Sequence, residues 1–87
     1  MKVVSKKIDT VVVFKGSQKP VPYRFRYYGA GGEETVVSVY RILQFEERRI
    51  AGIPTLVYDC QSRIDGFDRR YQLKFAPVDC RWELYKI

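Results

Sequence analysis

Between Asp68 and Ala76 the chain places Tyr71, Leu73 and Phe75 at every second position, with Arg70, Gln72 and Lys74 between them. Side chains of an extended chain point alternately to opposite faces, so this spacing builds one apolar face and one basic face on a strand. The same two-residue rhythm recurs along most of the sequence, broken by clusters of turn-forming residues. It restricts the chain to antiparallel β structure.

Six segments carry the rhythm. The first is Lys6–Lys15, with Ile8, Val11, Val12, Val13 and Phe14, closed by Gly16–Pro20. The second is Val21–Tyr28, in which Val21, Tyr23, Phe25 and Tyr27 share the inward face and Arg24, Arg26 and Tyr28 the outward one. Gly29–Gly32 then supplies a flexible hairpin loop. The third segment runs from Thr35 to about Arg49. It is apolar on both sides, with Val37, Val39, Leu43 and Phe45 on one face and Val36, Tyr40 and Ile42 on the other, interrupted by Arg41. A strand bending across the core would produce this, although Ile42, Phe45, Arg49 and Ile50 also approximate the spacing of a short helix over 42–51. The β-branched run before it favours the strand. After Ala51–Pro54 the fourth strand spans Thr55–Arg63, with Leu56, Tyr58 and Cys60 inward. Asp65-Gly66 is the strongest hairpin signal, because a type I′ turn needs positive φ at both central positions. Asp68–Ala76 is the fifth strand. Pro77–Asp79 leads to the sixth, Cys80–Lys86, with Trp82 and Leu84 inward and Arg81, Glu83 and Tyr85 outward.

Six strands with tight connections predict an all-β fold: an antiparallel meander that curls into a small, partly open barrel or roll. Residues 1–87 form a single β-domain in this reading, since a chain of 87 residues has room for one core. Apolar residues make up 46% of it, enough to offset chain entropy and to argue against disorder.

Several kinds of chemistry are excluded. There is no histidine, which removes the usual triads, histidine general bases and histidine metal sites. Cys60 and Cys80 cannot complete a four-cysteine zinc site in one chain. The stretch GAGGEE lacks the Lys-Ser/Thr of a phosphate-binding loop and lies between two predicted strands, so it reads as a turn. The carboxylate pairs Glu33-Glu34, Glu46-Glu47 and Asp65/Asp68 sit in or beside loops near arginines, where solvated charge is expected. The chain is therefore expected to be non-enzymatic, with no catalytic residue, no metal site and no cofactor. Ser5, Lys6, Lys7 and Asp9 interrupt the first apolar residues, which argues against a signal peptide, and no apolar run approaches the length of a membrane helix. The expected location is the cytoplasm, with no membrane partner. Both cysteines are expected there as reduced, buried thiols.

Sixteen lysines and arginines against ten acids give a net charge of +6 and an isoelectric point near 9.5. Such a field attracts polyanions. The outward residues of the second, fifth and sixth strands are Arg24, Arg26, Tyr28, Arg70, Gln72, Lys74, Arg81 and Tyr85. On one wall, the cations would neutralise phosphates and the tyrosines would stack on bases, so Arg24, Arg26, Tyr28, Arg70, Lys74, Arg81 and Tyr85 are the candidate nucleic-acid-binding residues. The plainer alternative is a solvent-facing sheet on which these arginines pair with Glu33, Glu46 or Glu83. A third reading is protein interaction, with FEERRIAG and its stranded Ile50 as a recognition loop or an edge-strand homodimer contact.

The stretches KPVPYRFRYYG and VVSVYRILQFEERR, with the terminal CRWELYKI, resemble a pattern of short β-rich bacterial proteins. Some of these are similar to small proteins encoded beside translesion DNA polymerase components. The resemblance implies the β fold and transfers no catalytic or binding residue. The expectation at this point is an accessory module that binds single-stranded nucleic acid. The alternative is a protein-interaction or structural module, dimeric through an edge strand.

Overall fold

A computed structural model describes Met1–Ile87 and contains eight strands. These are β1 (Val3–Lys7), β2 (Asp9–Val13), β3 (Val21–Tyr28), β4 (Glu34–Ser38), β5 (Arg41–Ile50), β6 (Ile53–Ile64), β7 (Phe67–Ala76) and β8 (Arg81–Lys86). They form two antiparallel sheets, a five-stranded one in the order β1-β8-β7-β6-β5 and a three-stranded one in the order β2-β3-β4. The all-β expectation holds. The six-strand barrel does not: there are eight strands, in two sheets rather than one closed wall.

The difference lies in two bends. The first predicted strand is divided at Ile8 and the third at Val39-Tyr40, and at each bend the chain leaves one sheet for the other. The Val39 N–H bonds to the Tyr23 carbonyl of the three-stranded sheet at 2.8 Å. One residue later the Tyr40 N–H bonds to Gln61 of the five-stranded sheet at 3.1 Å. Strands that change sheet at a bend are how a twisted two-layer structure turns its corners. Residues 42–51 contain no helix; Ile42–Ile50 pairs with β6 instead. No helix long and apolar enough to cross a membrane is present.

Bulges reset which residues face inward. On β3 the register moves from Val11↔Arg24 to Val12↔Pro22, leaving Tyr23 as the extra residue. Pro22 and Phe25 are consequently buried, while Tyr23 is 47% exposed instead of inward. On β5 the extra residue is Leu43, between Ile42↔Cys60 and Gln44↔Asp59, and it too is partly exposed rather than buried. A single inserted residue reverses alternation beyond it, which sequence periodicity cannot register.

The core lies between the sheets. Phe25 and Val37 of the smaller sheet meet Leu56, Tyr58, Cys60, Tyr71, Leu73, Phe75 and Leu84 of the larger, with the Phe25 and Tyr71 rings 5.5 Å apart. Two tyrosine hydroxyls tie the layers together. That of Tyr58 donates to the Pro20 carbonyl. That of Tyr71 lies 2.6 Å from the Ser62 hydroxyl, which donates to the Ser38 carbonyl at 2.7 Å. Cys60 is fully buried, as expected, but Cys80 is exposed. The last strand starts at Arg81, and Cys80 belongs to the turn before it, with φ +49° and its N–H bonded to Pro77.

Candidate nucleic-acid interface

The predicted cationic residues fall on two surfaces. Arg24, Arg26 and Tyr28 project from β3, the centre of the three-stranded sheet. Arg70, Gln72 and Lys74 lie on β7, and Arg81 and Tyr85 on β8, in the five-stranded sheet. Because the two sheets pack their inner faces on a shared core, their outer faces point away from one another. The two groups do not form one wall.

On the β3 face the charges are largely satisfied. The Arg26 Nε donates to Asp9 at 2.8 Å, and its Nη1 lies 3.5 Å from Glu34. The Tyr28 hydroxyl reaches the same Glu34 carboxylate at 3.4 Å, with the guanidinium 5.9 Å from the Tyr28 ring. The hydrogen bond that Arg26 donates to Asp9, helped by the surrounding charges, raises the Arg26 pKa still further. Register explains the grouping, since Asp9, Arg26 and Val36 are aligned across β2, β3 and β4, and Tyr28 sits opposite Glu34. A shallow concavity of about 420 Å³ covers this cluster. Arg24 is the one cation there without a carboxylate partner.

Lys74 is similarly engaged. It pairs with Glu83 at 3.2 Å, both side chains less than one-fifth exposed, and its ammonium sits 4.5 Å from the Tyr85 ring. Tyr85 is the extra residue of a bulge between Leu84 and Lys86, which turns its ring across the sheet surface toward Lys74. Gln72 donates to Asp59 at 2.7 Å. Arg81 and Arg70 remain exposed, without an acidic partner.

Around Arg70 the structure assembles a site that sequence reasoning missed. Arg41 on β5 stands opposite Gln61 on β6, and Gln61 stands opposite Arg70 on β7. Residues paired across antiparallel strands share a face, so these three form one row on the outer surface of the five-stranded sheet. Next along β6 on that face is Arg63, opposite Asp68 at 3.8 Å. Tyr40 precedes Arg41 at the inter-sheet bend. It is 77% exposed, against 47% for Tyr23 and 49% for Tyr28, and the Arg41 guanidinium lies 5.8 Å from its ring. Tyr40, Arg41, Gln61, Arg63 and Asp68 line an open concavity of about 450 Å³. Three arginines against one aspartate leave this region cationic, and neither Arg41 nor Arg70 has a carboxylate partner.

Apart from Arg70 itself, the only signals of this site in the sequence were Arg41 interrupting an apolar segment and Tyr40 beside it. Distance along the chain hides the rest, since Arg41 and Arg70 are brought together by strand pairing alone.

Elsewhere, three buried groups are held in their neutral forms. Burial pushes the Cys60 thiol and the Tyr58 hydroxyl each up to about 12, and raises Tyr71 as well. Cys60 is thus a protonated core residue whose S–H points at the Tyr58 carbonyl, 3.7 Å away. No protein-family model matches the chain, and no curated protein and no solved structure matches it either.

Proposed function

We propose that this chain is a non-enzymatic accessory module that binds single-stranded nucleic acid, acting in the cytoplasm. The observation that carries the reading is the row Arg41–Gln61–Arg70, cationic and free of carboxylate partners, beside the exposed ring of Tyr40. Unpaired guanidinium groups on the outer face of a sheet are placed to neutralise the phosphates of a flexible strand. An exposed aromatic ring adds a stacking surface for an unpaired base, worth about 1–3 kcal/mol where such contacts have been removed. A base inside a duplex is already stacked, so this combination favours single strands.

Arg24, Arg26 and Tyr28 take a lesser part in this reading, because Arg26 and Tyr28 are committed to Asp9 and Glu34. Lys74 is committed to Glu83 and to the Tyr85 ring. Arg70 is central, and Arg81 contributes only to the general positive field.

Fluorescence anisotropy with a short labelled oligonucleotide, titrated at several salt concentrations, tests the reading. Affinity should fall linearly with the logarithm of salt concentration, as counterion release requires. Arg41→Glu combined with Arg70→Glu should abolish binding with the circular dichroism spectrum unchanged, whereas Arg24→Glu should cost little. Equal losses from both variants would reject the proposed face.

A further inference from the structure

The outer end of this face holds an arginine and an aspartate whose hydrogen-bonding capacity is unused. Arg63 and Asp68 stand directly opposite one another on β6 and β7, 72% and 68% exposed. Their closest approach, Nη1 to Oδ1 at 3.8 Å, is too long for a hydrogen bond. Donors therefore lie beside acceptors, in the same concavity as the Tyr40 ring.

We propose that Arg63 and Asp68 read the Watson–Crick edge of a guanine stacked on Tyr40. This rests on the nucleic-acid reading above and names the base that the same site selects. Guanine presents the O6 acceptor next to two adjacent donors, N1–H and N2–H. A carboxylate accepts both donors at once through its two oxygens, and a neighbouring guanidinium donates to O6. Adenine and cytosine each offer the carboxylate one exocyclic amino group flanked by a ring acceptor. Thymine and uracil offer a single N–H between two carbonyls. Each of these leaves one carboxylate oxygen without a base partner. The edge being read is the one consumed by base pairing, so the selection operates only on an unpaired strand. Arg41 and Arg70 hold the flanking phosphates, which carry no sequence information themselves.

The test uses four labelled heptamers with thymine flanks and a central guanine, adenine, cytosine or thymine, and the matching uracil-flanked RNA set. Anisotropy titrations of the full chain should show the guanine heptamer bound on the order of tenfold more tightly, the range expected for one bidentate contact. Asp68→Asn should erase that preference while leaving affinity for the all-thymine heptamer unchanged or stronger, because a negative charge has gone from a cationic face. Tyr40→Ala should weaken all four heptamers together. Equal affinity for the four would overturn the guanine assignment and leave nucleic-acid binding standing, as would a preference that survives in Asp68→Asn. Absence of binding to any heptamer would overturn both.

Discussion

At the scale of single residues, the inter-sheet contact depends on a few buried hydroxyls. Ser62 accepts the Tyr40 N–H at 3.2 Å, donates to the Ser38 carbonyl and meets the Tyr71 hydroxyl. One side chain thus pins β4, the bend, β6 and β7 together. Ser62→Ala leaves the buried Tyr71 hydroxyl without its partner and takes a donor from the Ser38 carbonyl, while the Tyr40 N–H keeps Gln61. It should cost about 1–3 kcal/mol, read as a lower urea midpoint. Tyr71→Phe should cost less, because Ser62 keeps its bond to Ser38. Ionisation provides a second residue-level test. Tyr58 and Cys60 are raised from ordinary values of 10.0 and 9.0 to about 12, and Tyr71 is raised too, chiefly by burial. The unfolded chain releases these protons first, so their contribution to stability is full below about pH 9 and is lost as pH climbs toward 12. Urea midpoints measured from pH 7 to 11 should therefore fall on the alkaline side. Tyr58→Phe should flatten that fall; an unchanged slope would show that Tyr58 is not a source of it.

Among the strands, turns and edges decide how well the sheets are specified. Asp65-Gly66 and Ala51-Gly52 both have positive φ at the two central residues, the geometry that matches the twist of a two-residue hairpin. Asp65 suits that conformation. Ala51, at φ +51°, does not, because its Cβ crowds the following carbonyl in left-handed backbone. Ala51→Asn should stabilise the protein by about 1 kcal/mol, seen as a higher melting temperature. β5 is an edge strand, paired only with β6, and it carries Glu46, Glu47, Arg48 and Arg49 in succession. Pairing with a second copy about a two-fold axis normal to the sheet keeps outer faces outward, so the residue on the axis meets itself. A register centred on Glu46 or Arg49 sets like charges opposite one another, whereas one centred on Glu47 or Arg48 flanks a single like pair with two Glu–Arg pairs. Desolvating so charged an edge discourages extension of the sheet.

For the molecule as a whole, local pattern predicted more than global arrangement. The bounds of β3 were legible, as was the β6–β7 hairpin, because alternation and an Asp-Gly turn are short-range signals. The bends at Ile8 and Val39-Tyr40 were not, since a strand that changes sheets keeps its apolar rhythm while its partners change. Tyr23 and Leu43 were misassigned for a related reason: a bulge is set by the partner strand's register, not by the bulged sequence. The candidate site follows the same rule. Arg70 was found from its own strand, whereas Arg41, Gln61 and Arg63 became neighbours only through pairing across β5, β6 and β7. Placing β3 in a separate sheet then divided the basic residues that a single wall would have united.

The central claim is that nucleic acid meets the protein at the Arg41–Gln61–Arg70 face, and mapping the contact residue by residue tests it most directly. Amide chemical shifts of the isotopically labelled protein, followed by NMR as a guanine-centred heptamer is added, should move at Tyr40–Ile42, Cys60–Arg63 and Asp68–Tyr71. Those of Arg24–Tyr28 should stay in place. Shifts concentrated on β3, or none at saturating heptamer, would contradict the account.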